Sequence, residues 1–108
     1  MNSYRVQFGA SERLDEIYRY TLNTRGSEQA ETYIRGIFAR FEEIAAHVFP
    51  WVAIPAEFGV DGYVCRYGNH FIYWKLLQDG AVGIVTLLHE RMHQIDRFRD
   101  DQFQHPQT

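Results

Sequence analysis

Two consecutive segments, His70–Leu77 and Val82–Leu88, are apolar on both faces of any strand they could form. In the first, Phe71, Tyr73 and Leu77 fall on one side and Ile72, Trp74 and Leu76 on the other. In the second, Val82, Ile84 and Leu88 oppose Val85 and Leu87. Strands of this kind need cover on both faces of their sheet. In a chain of 108 residues, that requirement limits the architecture more than any other feature. The length gives one domain, residues 1–108, with a polar tail from about residue 94.

The rest of the chain supplies the cover. Tyr4–Phe8 alternates as a half-buried strand, with Tyr4, Val6 and Phe8 on one side. Leu14, Ile17, Tyr18 and Leu22 then recur at helical spacing, with Ser11 placed to cap the start and Gly26 to end the helix. Ser27 is placed to cap a longer helix carrying Ala30, Ile34, Ile37, Phe38, Phe41, Ile44, Ala45 and Val48, which ends before Pro50. The short NTRGS connection predicts an antiparallel helical hairpin. Pro50, Pro55, Gly59 and Asp61-Gly62 mark an irregular connection. Strands follow at Tyr63–Tyr67, His70–Leu77 and Val82–Leu88, turning at Gly68-Asn69 and Asp79-Gly80. The order is β-α-α-β-β-β, an α+β domain with a helical hairpin on a mainly antiparallel four-stranded sheet. Two helices cover only one sheet face. The other is left to the connection, with Phe49, Trp51, Val52, Ile54 and Phe58, to the tail, or to a second chain.

Charge and cysteine content narrow the function classes. The formal charge is −3, and Lys75 is the single lysine beside ten arginines. An acidic domain without a basic run is poorly suited to coating nucleic acid, where phosphate neutralisation dominates. Cys65 has no partner for an internal disulfide. No signal peptide or membrane-length apolar run is visible, so a cytoplasmic address and no membrane partner are expected.

His89-Glu90-Arg91-Met92-His93 fits H-E-x-x-H, the helical spacing at which two imidazoles hold zinc and the glutamate serves as base. If the segment is a zinc site, His89 and His93 are its ligands. Asp96, Asp100, Asp101 or His105 would then have to supply a third. The motif starts on the last residue of an apolar strand, however, where no helix has formed, so no cofactor is expected. The competing reading is a polar tail that faces solvent or a partner. Cys65 lies mid-strand between Tyr63 and Tyr67, as buried structural thiols do.

Several segments together resemble the ParE group of the ParE/RelE toxin superfamily. They include Leu14-Asp15-Glu16-Ile17 with Tyr20, the Gly26/Ala30/Tyr33 run, Gly68-Asn69-His70-Phe71-Ile72-Tyr73, and Leu88-His89-Glu90-Arg91-Met92. The resemblance runs from about Tyr4 to His93. It implies a toxin of a type II toxin–antitoxin module, held inactive in a hetero-oligomer by an antitoxin segment that wraps apolar surface. It further implies DNA gyrase as target, reached through Arg66, His89, Arg91 and Met92, with Trp74 and Leu76 facing the antitoxin. The RelE-like relatives cut messenger RNA on the ribosome. In that reading Arg66, His89 and Arg91 are the catalytic group, because RNA cleavage needs a base, an acid and cations. One lysine in an acidic chain favours the non-nucleolytic branch, with no direct nucleic-acid contact. Many ParE-like chains place an Arg after the Gly-aromatic pair that opens the second strand. Here that place is Val64, and Arg66 follows two residues later on the same strand face.

Overall fold

The computed structural model describes residues 3–92. Its elements are β1 (Tyr4–Val6), α1 (Phe8–Arg25), α2 (Ser27–Ala45), β2 (Val52–Ala53), a single 3-10 turn (Ala56–Phe58), β3 (Tyr63–Tyr67), β4 (His70–Leu76) and β5 (Val82–His89). They form an α+β domain whose sheet has five strands in the order β1-β5-β4-β3-β2. The expected sheet of four gains β2, a two-residue edge strand drawn from the irregular connection, which pairs antiparallel with β3. β1 pairs parallel with β5, and all other pairs are antiparallel. None of the described helices is long and apolar enough to cross a membrane.

The helix starts differ from the sequence expectation. The first strand ends at Val6, and Gln7 rather than Ser11 flanks α1. The Ser11 N–H already bonds the Gln7 carbonyl at 2.9 Å, inside the first helical turn. The hairpin connection shrinks to Gly26 alone, which closes α1 and opens α2. Its φ of 92° lies in the region that only glycine enters without steric cost, so one residue reverses the chain.

The two sheet faces are covered by different parts of the chain. Under the helices, Ile37, Phe41 and Ile44 of α2 and Leu14 and Ile17 of α1 pack on Cys65, Ile72, Trp74, Val82, Ile84 and Leu87. On the opposite face, Ile54 of the connection packs with Tyr73, Val85 and Leu88, edged by Phe58, Val60, Val64, Phe71 and Met92. The connection therefore does cover the second face. Phe49 and Trp51, expected with it, turn to the helix side instead. Val52 remains exposed.

β5 does not alternate strictly. The register runs Tyr73↔Thr86 and then Trp74↔Ile84, so Val85 is an extra residue in a bulge. The bulge reverses the facing of every later residue. Leu87 joins Ile84 under the helices, and Leu88 joins Val85 on the other side, the reverse of the assignment from simple alternation.

Candidate functional site

A cleft of about 410 Å3 opens between α1 and the end of β5. Its helical wall is the stripe Arg13, Glu16, Ile17, Tyr20 and Thr21, positions that helical periodicity brings onto one face. His70, Leu87 and His89 form the sheet side, and Arg91 and Met92 close the end. Arg13 and Glu16 pair across one turn at 3.1 Å. Ile17, Leu87, Met92 and the Tyr20 ring give the cleft an apolar interior; Arg91 brings positive charge to it, while that of Arg13 is matched by Glu16.

The strand end is held by a dense set of bonds. The Met92 N–H bonds the His89 carbonyl, and the Glu90 N–H bonds the Asn69 carbonyl, both at 2.9 Å. The Arg91 N–H donates to His89 Nδ1 at 3.1 Å. His70, opposite His89 in the register, meets its ring edge-on with centroids 5.2 Å apart. Burial, reinforced by the neighbouring His89, pushes the His70 imidazole down to about 4. His70 is accordingly neutral at ordinary pH.

Arg66 is not part of this cleft. It pairs with Phe71 in the ladder, and its guanidinium lies over that ring at 5.6 Å. Phe71 belongs to the face covered by the connection, whereas His70 and His89 lie towards the helices. The sheet thus sets Arg66 apart from His89 and Arg91, while Met92, past the strand end, lines the cleft and also edges the Phe71 cluster. Val64 shares the Arg66 face and edges the same cluster as Phe71. The Arg66 side chain reaches round the strand end to form an ion pair with Glu90, and its Nε donates to the Gly68 carbonyl at 3.0 Å. The glutamate of H-E-x-x-H is therefore engaged with an arginine. His93 lies outside the described residues, as do Asp96, Asp100, Asp101 and His105. Among the described residues, no three His, Cys, Asp or Glu side chains gather as a metal site.

The two residues assigned to the antitoxin separate as well. Trp74 is fully buried under the helices, so it presents no surface to a partner. The helical hairpin selected the Trp74 face of a strand that is apolar on both. Leu76, at the far end of β4 from His70, is 56% exposed. Cys65 is a buried free thiol, as expected.

Two residues that brace the sheet beside the site carry no signal in the sequence as functional side chains. Arg40 reads as one more charged position on α2. Yet its guanidinium donates to the Arg66 carbonyl at 3.0 Å and lies 4.0 Å from the centre of the Phe49 ring. Tyr33 reads as helix-face packing, but its hydroxyl lies against the β3–β4 turn.

Residues 4–94 match the family model described as the ParE toxin of the type II toxin–antitoxin system parDE. Toxin ParE1 of Caulobacter vibrioides is 34% identical over 94 residues, covering 86% of this chain and 94% of that protein. Toxin ParE1 of Mycobacterium tuberculosis is 28% identical over 95 residues, covering 87% of this chain and 94% of its own length. Among solved structures, a chain of the chromosomal ParDE toxin–antitoxin system from P. aeruginosa superposes with a TM-score of 0.63 at 17% identity. That match covers 82% of this chain and 96% of the other, and establishes a shared fold.

Proposed function

The chain belongs to the ParE toxin family of type II toxin–antitoxin systems, and from that membership we propose that it meets two proteins in turn. A cognate antitoxin holds it inactive. Once free, it binds and inhibits DNA gyrase. The observation that carries this reading is the α1–β5 cleft, whose apolar interior is flanked by Arg91 and by the Arg13–Glu16 pair. Such a surface suits an apolar or aromatic side chain next to a carboxylate, the mixture common at protein interfaces. His89, Arg91 and Met92 are its target-facing residues. Leu76 and the exposed edge residue Val52 offer apolar surface to a wrapping antitoxin segment.

The same geometry disfavours RNA cleavage. General acid–base chemistry near neutral pH needs groups that titrate there and cations left available for phosphate. His70 is pushed down to about 4, and Arg66 is neutralised by Glu90 on the other sheet face. Of the Arg66, His89 and Arg91 group a ribonuclease would need, the sheet separates the first from the other two.

Expression of the chain without its antitoxin tests the reading. DNA synthesis is expected to stop before protein synthesis, and purified chain to block supercoiling by gyrase until antitoxin is added. Arrest of translation ahead of replication would transfer the chain to the ribosome-directed branch.

A further inference from the structure

We propose that Arg66 serves the toxin only through Glu90, as one half of a clasp that aims His89 and Arg91 into the cleft. The inference rests on the cleft being the target surface.

Three bonds converge on the strand end. The Arg66 guanidinium holds the Glu90 carboxylate, its Nε bonds the Gly68 carbonyl at 3.0 Å, and the Glu90 N–H bonds the Asn69 carbonyl at 2.9 Å. Residue 90 is therefore tied to the β3–β4 turn by both backbone and side chain. Its two neighbours in sequence are the cleft residues His89 and Arg91. Because the Arg91 N–H donates to His89 Nδ1, the neutral imidazole must carry its proton on Nε2. If residue 90 moves, that bond breaks and the imidazole is free to change tautomer and direction.

Arg66 does not line the cleft: its strand position is beside Phe71 on the opposite face of the sheet, and its guanidinium is taken up by Glu90 and the Gly68 carbonyl. Ion pairs this exposed contribute little to global stability. What the pair can do is fix local geometry, and the residues it fixes are those of the cleft. This also accounts for the glutamate of the H-E-x-x-H match: Glu90 is an ion-pair partner rather than a base for metal-bound water.

The clasp is tested on the full chain by imidazole nitrogen NMR together with gyrase inhibition. In the unsubstituted chain, His89 is expected to be mainly the Nε2-protonated tautomer. Arg66→Ala and Glu90→Gln should each lose that preference and weaken inhibition by about tenfold, or about 1.4 kcal/mol, with the double variant no worse than either. Arg66→Lys, which keeps the charge, should retain most of both. The exchange Arg66→Glu with Glu90→Arg restores the ion pair but not the bond to the Gly68 carbonyl, and should recover the tautomer and the inhibition together in part. Unchanged His89 signals in both single variants overturn the clasp, and so does an exchange that recovers neither property. Failure of the cleft reading is seen separately, as His89→Ala with full inhibitory power. In that event the imidazole signals of Glu90→Gln still decide the clasp.

Discussion

The hydroxyl of Tyr33 on α2 lies 2.8 Å from Nδ1 of His70 at the start of β4. The same oxygen accepts the Asn69 N–H at 3.2 Å and lies 3.1 Å from the Tyr67 carbonyl. One helical side chain therefore satisfies three groups of the β3–β4 turn, against which the end of β5 is in turn tied. Replacing the hydroxyl leaves partly buried polar groups without it. Tyr33→Phe should cost about 1–2 kcal/mol, read as a lower urea midpoint at unchanged slope.

His70 makes stability depend on pH in a definite direction. Its imidazole titrates near 6.5 when exposed and is pushed down to about 4 in the fold, so the unfolded chain binds the proton first. Stability from this group is complete above about 6.5, falls as pH drops to about 4, and changes no further below that. Its partial exposure discounts the loss to about 2 kcal/mol. Urea midpoints measured from about pH 7.5 to about pH 3.5 span the whole fall and check it. His70→Gln should flatten that slope.

Gly36 admits the Tyr67 ring to the surface of α2. A Cβ there would stand 1.7 Å from the Tyr67 hydroxyl oxygen and 2.7 Å from its Cζ. In an exposed helix, Gly→Ala is stabilising by about 1 kcal/mol. Here the sign should reverse, because Tyr67 must leave its place beside Tyr33 and Arg40. Gly36→Ala is expected to cost about 1–3 kcal/mol in thermal or urea unfolding. Adding Tyr67→Phe should recover only part of it, since the ring carbon still crowds the methyl.

The order of elements was legible because each rests on local signals: the Ile34, Ile37 and Phe41 stripe, the turn glycines, and the alternation near Tyr4. The facing of side chains at the site was not. Which way Leu87 and Leu88 point depends on the bulge at Val85, a shift in the pairing with β4 that alternation along β5 does not report. Trp74 and Tyr73 are equally apolar neighbours, and only the docking of the helices decides that Trp74 goes beneath them. Arg66 and His89 looked like one cluster because both lie near strand ends. Their separation follows from the ladder register, which joins Arg66 to Phe71 and His70 to His89. The Arg66–Glu90 pair spans 24 positions, too far for periodicity to report.

Arg40 shows the same limit from the helix side. Its planar guanidinium serves the Arg66 carbonyl, the Glu43 carboxylate at 3.1 Å and the Phe49 ring together, with the side chain only 19% exposed. An ammonium group has neither the flat face nor the fork that such an arrangement uses. Arg40→Lys should therefore destabilise by about 1–2 kcal/mol in urea unfolding despite keeping its charge. A midpoint equal to that of the unsubstituted chain would show that charge alone suffices.

Tyr20 separates binding from folding. It lines the cleft from α1, one turn beyond Ile17, yet is 69% exposed, so the fold gains little from its ring. Tyr20→Ala should leave the unfolding midpoint within about 0.5 kcal/mol of the original, the range of surface substitutions. If the cleft receives a protein side chain, the lost aromatic anchor should weaken gyrase inhibition by about tenfold or more. Supercoiling assays and urea unfolding on the same preparation make the comparison direct. Full inhibition at full stability would place the target contact away from α1. A fall in both would assign Tyr20 to the fold instead.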